Sequence, residues 1–420
     1  MKIILYRERI QQYSIYCLFV LFMLFANVAM AQTELNGYVE FAAKNNPSLQ
    51  AKFNEYMAAL EVAPQVRALP DPQIAFAYFV QPVETRVGPQ EFKISASQMF
   101  PWFGTLKAKE NVAIQAAKAK YEIFEEAKSK LAHEVRSTYF NLYFNDKAVS
   151  ITLENIEILT VINKLSYIKV EAGLVSAVDE YRIVMEINDL ENQLALLKDK
   201  QTVLNVMFNN LLNADTDSAI VLPDMIWEND FTLSRTAALD SIKLKNHKLI
   251  SISFQQQALS YRKEVARKLG RPSFNIGVDY TMVGKGDSNM AGTDAFVFPK
   301  VGITIPLYRS KYKAMINEVV YLETAKSLEN DNQVNVLETL FETVWKDYRD
   351  ANRRIDLYDI QLNLARKSLK LLETDYATAN KNFEEILRME RRVLKYNLEL
   401  EKAKSDKQAN ISFIDYLLGS

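Results

Sequence analysis

Metal ligation, phosphate binding and acid–base catalysis each require particular side chains at fixed spacings, and this 420-residue sequence offers only fragments of each. His133 and His247 stand far apart, each without a second histidine nearby, which argues against a zinc site. Met57, Met99, Met185, Met282 and Met389 carry thioethers suited to soft metals, yet they share no common spacing and read as gap-filling apolar side chains. The run NADTDS from Asn213 opens like a calcium loop but lacks the glycine and the bidentate glutamate of one; it reads as a linker. GKGDSN from Gly284 sets lysine beside glycine between two strand-like stretches and opens no helix, which excludes a phosphate loop. The Asp and Glu residues follow helix-surface spacing with Lys and Arg, and no nucleophile and base come together. The sequence therefore reads as a non-enzyme, with no cofactor and no metal.

Composition sets the frame around these residues. Lys2, Arg7 and Arg9 precede an apolar stretch from Tyr13 to Ala26 and a small-residue exit at Ala29-Met30-Ala31, so residues 1–31 read as a secretory signal peptide. Cys17, the only cysteine, lies inside that segment, which leaves no disulfide, thiol nucleophile or thiolate site beyond it. With 51 basic against 52 acidic residues, the charge balance does not suggest a nucleic-acid partner. Beyond the signal there is no run of about eighteen apolar residues, so a helical membrane protein is not expected. Membrane association by strands stays open.

The chain repeats itself. At an offset of 200, Asn46 meets Asn246, Leu49 meets Leu249, Arg67 meets Arg267 and Pro72 meets Pro272; Pro101 meets Pro306 at 205; Tyr139 meets Tyr348 and Gly173 meets Asn382 at 209. The implied division is a first repeat over 32–212, a linker over 213–232 and a second repeat over 233–420. Each repeat reads helix, strand, loop, strand, long helix, break, helix. Phe274, Ile276, Val278, Tyr280 and Met282 alternate with Ser273, Asn275, Gly277, Asp279 and Thr281, and Ile74, Phe76, Tyr78 and Val80 form a similar set. That period of two puts one face against something apolar and the other against water. QPVETRVGPQ and GKGDSNMAGTDA read as exposed loops between paired strands.

From about Trp102 to Ala172 and Tyr308 to Thr378 the pattern is helical, about 100 Å each at 1.5 Å per residue. After the break, Ile183, Ile187, Leu190, Leu194, Leu197, Leu204 and Phe208 form a coiled-coil seam with Gln201 as the polar interruption. The four strands have the length to cross a bilayer, but they cannot close a barrel alone, because closure takes about eight or more. Open strand edges cannot be left in lipid. Several chains must pool their strands.

NNPSLQAKFNEYMAAL, LPDPQIAFAY, SQMFPWFGTLKAK, VGITIPLY and YIKVEAGLVSAVDEYR together resemble the TolC-type outer membrane efflux protein family over essentially the whole chain after the signal. The resemblance implies an α+β membrane protein. Its duplicated repeat would give four strands of a trimeric outer membrane β-barrel of about 12 strands, continued by a long periplasmic α-helical coiled-coil tunnel. The implied role is the exit duct of a tripartite pump in a Gram-negative outer membrane, as a homotrimer in lipid docking with a periplasmic adaptor (membrane fusion) protein and an inner membrane transporter. PVETRVGPQ with MFPWFGTLK is similar to the heavy-metal branch that works with resistance-nodulation-division transporters; drug or general efflux is the alternative substrate class. The alternative function is the outer membrane channel of a type I protein secretion system.

The resemblance also assigns positions. Pro101, Gly104 and Pro306 become strand-to-helix corners, and Pro70, Pro72 and Pro272 the helix-to-strand entries. The periplasmic tip, where the duct closes and partners dock, falls at Gly173, Ser176 and Asp179 in the first repeat and at Asn382, Glu384, Glu385, Arg388 and Arg391 in the second. Family members commonly carry acidic residues where Arg388 and Arg391 stand. Three arrangements follow from that departure: a basic ring, an Asp179 to Arg388 pair that holds the tip shut, or charges on the solvated side of a coiled coil.

Overall fold

The computed structural model describes residues 33–227, 229–286, 292–379 and 383–419, and within them a similar series of elements runs twice, with an extra short helix in the first. First come a helix over 33–45 (α1), α2 (Pro47–Leu60), α3 (Val62–Arg67), β1 (Gln73–Thr85), β2 (Gly88–Phe100), α4 (Thr105–Glu171) and α5 (Ala177–Leu212). Then come α6 (Arg235–Lys245), α7 (His247–Leu269), β3 (Ser273–Val283), β4 (Ala295–Thr304), α8 (Arg309–Ala379) and α9 (Phe383–Leu418). The expected signal segment over 1–31 lies outside the described residues. Among the described residues no helix is long and apolar enough to cross a membrane.

Contacts divide the chain into two compact units. One holds Ala51–Phe124 and His247–Asn335 and contains the sheet, a single antiparallel array in the order β1-β2-β3-β4. Partners in an antiparallel ladder point to the same side. Phe76 opposite Ile94, Ile94 opposite Tyr280 and Phe274 opposite Ile303 therefore build one apolar face across all four strands. That face is bare: Val80 is 88% exposed, Phe76 66% and Val301 64%. The other face carries Lys93, Ser95, Ser97, Asn275, Asp279 and Lys300. Gly277 sits where a side chain would strike its neighbour, since a Cβ there would lie 2.8 Å from the Ala96 carbonyl oxygen.

The stretch expected to be a loop over residues 81–90 is mostly strand. β1 runs on to Thr85 and β2 starts at Gly88, with only Arg86 and Val87 turning between them. Pro82 and the polar residues suggested a loop because proline cannot donate to a ladder. The strand accommodates it with a register shift between Tyr78 and Val83.

The second unit comprises residues up to Gln50, Glu125–Asn246 and the chain from Val336. Its core holds Tyr139, Phe208, Ile242 and Ile414, all fully buried. The repeat is written into its hydrogen bonds. Asn46 Nδ2 donates to the Leu211 carbonyl at 3.0 Å, and Asn246 Nδ2 to the Leu417 carbonyl at 2.9 Å, so equivalent asparagines satisfy the carbonyls of the two returning helices. Tyr139 and Tyr348 likewise both reach the segment after α5, through bonds to Val221 and Phe231. Ile183, Leu190, Leu194, Leu204 and Phe208 are buried as the seam requires, and Gln201 accepts a 2.7 Å bond from the buried Asn145 amide. That bond explains the polar interruption.

Candidate functional site

The break between α4 and α5 is built by backbone chemistry. Gly173 adopts a φ of +69°, a left-handed conformation open to glycine at little cost. Its N–H bonds to the Val170 carbonyl and that of Leu174 to the Lys169 carbonyl, both at 2.9 Å, which closes α4 with a Schellman motif. Ser176 then caps α5, its Oγ accepting from the Val178 N–H at 3.2 Å. Asp179 falls in the first turn of α5, where a carboxylate favours the helix dipole.

The charges at this end sort into cross-helix and same-helix pairs. Arg182 Nη1 stands 3.6 Å from Asp179 Oδ1 and 3.4 Å from Glu384 Oε2, so one guanidinium links α5 to the start of α9. Arg391 adds a second link, its Nε donating to Glu186 Oε2 at 2.7 Å. Arg388 instead pairs with Glu385 one turn away on its own helix, at 3.6 Å. Of the three arrangements open at this end, the Asp179 to Arg388 pair is therefore not formed within the protomer. Arg182, closer in sequence to Asp179, has taken that place. Glu384, Glu385, Arg388 and Arg391 are all mostly exposed. Asn382 lies outside the described residues.

Beneath these charges Leu159, Ile183, Leu190, Tyr376, Ile386, Leu387 and Leu394 form an apolar cluster. Lys169 crosses it, donating to the Tyr376 carbonyl at 2.9 Å with its Nζ 3.7 Å above that residue's ring centre. Glu390 is one feature that sequence reasoning missed. Only 2% exposed, it receives one bond, from Asn155 Nδ2 at 3.4 Å, and its Oε1 has no partner among the described residues. Burial, helped by the nearby Glu373 charge and opposed by the Asn155 bond, pushes its carboxyl up to about 7.

The corners are local stops rather than reactive groups. After Pro101, Gly104 takes a φ of +75° and the Thr105 N–H reaches back to the Trp102 carbonyl at 3.0 Å to start α4. The second corner has no such glycine. After Pro306, the Arg309 N–H bonds to Leu307 at 2.9 Å and its Nη1 to the Gly270 carbonyl at 2.9 Å. Pro72 and Pro272 directly precede β1 and β3, where no ladder donor is needed, and the Pro70 carbonyl accepts from Gln98 Nε2 at 2.7 Å. Of the two histidines, His133 approaches Ser412 Oγ at 3.3 Å and His247 approaches Glu122 Oε2 at 2.7 Å. Among the described residues no group of three or more His, Cys, Asp or Glu side chains is placed to hold a metal. The arrangement can lock helices together.

Comparison with known proteins agrees with that architecture. Residues 39–213 match the model of the outer membrane efflux protein family. Among solved structures, the chain is similar to a membrane protein from Pseudomonas aeruginosa, with a TM-score of 0.76 and 14% identity over 92% of each chain. It is similar to the outer membrane protein VceC from Vibrio cholerae at 0.76 and 14%, covering 94% of this chain and 98% of that one. The MtrE outer membrane channel of Neisseria gonorrhoeae gives 0.73 and 15%, covering 92% and 89%. No curated protein matches. At these identities the structures establish the fold, a duplicated helix-and-strand repeat shared with outer membrane channels.

Proposed function

We propose, from the family match over residues 39–213 and from the fold, that the chain is a TolC-type outer membrane efflux protein, the exit duct of a tripartite efflux pump that passes small molecules or metal ions to the exterior. One observation carries this reading: a four-stranded sheet with one bare apolar face, one polar face, and outer edges on β1 and β4 that pair with no other strand among the described residues. An apolar face of that extent belongs against lipid. In lipid the edge N–H and C=O groups must be paired, so β1 of one copy meets β4 of the next until the sheet closes. Three copies would give about twelve strands, a workable barrel. We assign the repeats to 32–212 and 233–420, joined by 213–232.

In this reading the helices leaving the two corners line a periplasmic passage. The Gly173 break and the start of α9 form its tip, where a periplasmic adaptor docks and hands over solutes from an inner membrane transporter, of resistance-nodulation-division type. Arg182 and Arg391 hold the tip shut through Glu384 and Glu186. The function is tested by deleting the gene and following a fluorescent efflux substrate in whole cells. Accumulation should rise and return to normal on complementation. Unchanged accumulation, with the protein present in the outer membrane of the complemented strain, would refute efflux.

A further inference from the structure

The four strands carry five charged residues, and Glu84 and Glu91 sit at the β1–β2 hairpin end. The other three, Lys93, Asp279 and Lys300, come from three different strands and converge. Lys93 Nζ lies 2.7 Å from Asp279 Oδ2, and Lys300 Nζ lies 3.1 Å from the same oxygen. Strand pairing brings them onto the polar face: Ser95 opposes Asp279, Gly277 opposes Lys300, and Lys93 stands one ladder step away opposite Thr281.

One lysine would neutralise Asp279; the second leaves a surplus positive charge at this cluster in each chain. Exposure decides which charge a passing solute meets. The Asp279 side chain is 9% exposed, Lys93 35% and Lys300 56%, so the carboxylate is covered and the ammonium groups face outward. A lysine ammonium has three donors, and each spends only part of them on Asp279. Repeated around a closed barrel, the cluster becomes a ring of like charge inside low-dielectric walls, which focuses its field on the passage.

We propose that Lys93 and Lys300 form an anion-attracting girdle on the inner wall of the barrel, so that anionic and neutral solutes pass more readily than bare metal cations. The proposal rests on the duct reading above and narrows its substrate class.

The test is ion selectivity of the full-length protein in planar bilayers under a potassium chloride gradient. At this cluster, wild type, Lys300→Gln and Lys300→Glu carry, per chain, one surplus positive charge, none, and one surplus negative charge. Lys300 is exposed on an edge strand and Asp279 keeps Lys93, so these variants leave the buried carboxylate paired. The chloride-over-potassium permeability ratio should fall in that order, by roughly twofold or more per step at about 0.1 M salt. The differences should shrink near about 1 M, where the screening length is about 3 Å. Lys300→Arg should behave as wild type. Pores with the same reversal potential in all variants would overturn the girdle and leave the duct standing. A folded wild type that forms no pore would overturn the duct reading itself, and the girdle with it.

Discussion

Arg391 on α9 donates from Nε to Oε2 of Glu186 on α5 at 2.7 Å, while Arg388, one turn earlier on the same helix, turns to its own Glu385. Two arginines three positions apart thus have different jobs. Only the first joins helices from different repeats.

It follows that Arg182→Ala and Arg391→Ala loosen the tip and Arg388→Ala does not. Both cross-helix pairs are partly solvated, so each is worth about 0–1 kcal/mol. The double variant should raise open probability in planar bilayers a few-fold, with oligomer yield unchanged. An equal rise in Arg388→Ala would show that the lock lies elsewhere.

Asn246→Ala should destabilise the helical unit by about 1–3 kcal/mol, because it strands the Leu417 carbonyl in a buried setting. Asn46→Ala, at the half-buried equivalent, should cost less. Denaturant titration in detergent, followed by circular dichroism, ranks the two; a reversed order would mean that burial does not set the cost.

Gly277→Ala and Gly173→Ala separate crowding from backbone strain. At Gly277 the added methyl meets the Ala96 carbonyl oxygen, so the strands must part and the yield of assembled, heat-resistant oligomer should fall severalfold. At Gly173 nothing lies within 4 Å and the cost is the positive φ alone, about 1–2 kcal/mol confined to the break. Assembly on denaturing gels should be near normal for Gly173→Ala; equal loss in both would contradict this division.

Glu390 gives a pH dependence with a definite sign. Its folded carboxyl, pushed up to about 7, holds a proton that the unfolded chain, with an ordinary value of 4.5, releases earlier. The stability it contributes is complete below about 4.5 and is lost as pH rises through about 7. Glu390→Gln should therefore match wild type at low pH and exceed it at pH 8, by on the order of 3 kcal/mol at most. A constant difference across that range would show that Glu390 does not titrate there.

Much of this was legible in the sequence because it follows from periodicity. The alternation from Phe274 to Met282 became β3, and the absence of breakers after each corner became α4 and α8. What sequence reading missed depends on what a residue faces. Glu390 sits beside exposed arginines and has ordinary surface spacing, so nothing local marks it as buried. Arg182 has the spacing of a surface charge, and its partner Glu384 comes from α9, far away in the chain. Lys93 and Asp279 are far apart in sequence, and only strand pairing joins them. Pro82 misled in the opposite direction, since a register shift absorbs a residue that usually ends a strand.

The central claim is that separate copies pool their strands in a membrane, and it is tested most directly by the mass and cellular fraction of the detergent-extracted protein. The account predicts a particle of about three chains, recovered from the outer membrane and insoluble without detergent. A monomer soluble in the periplasm would contradict it, because the bare apolar face and the open edges of β1 and β4 would then have no partner.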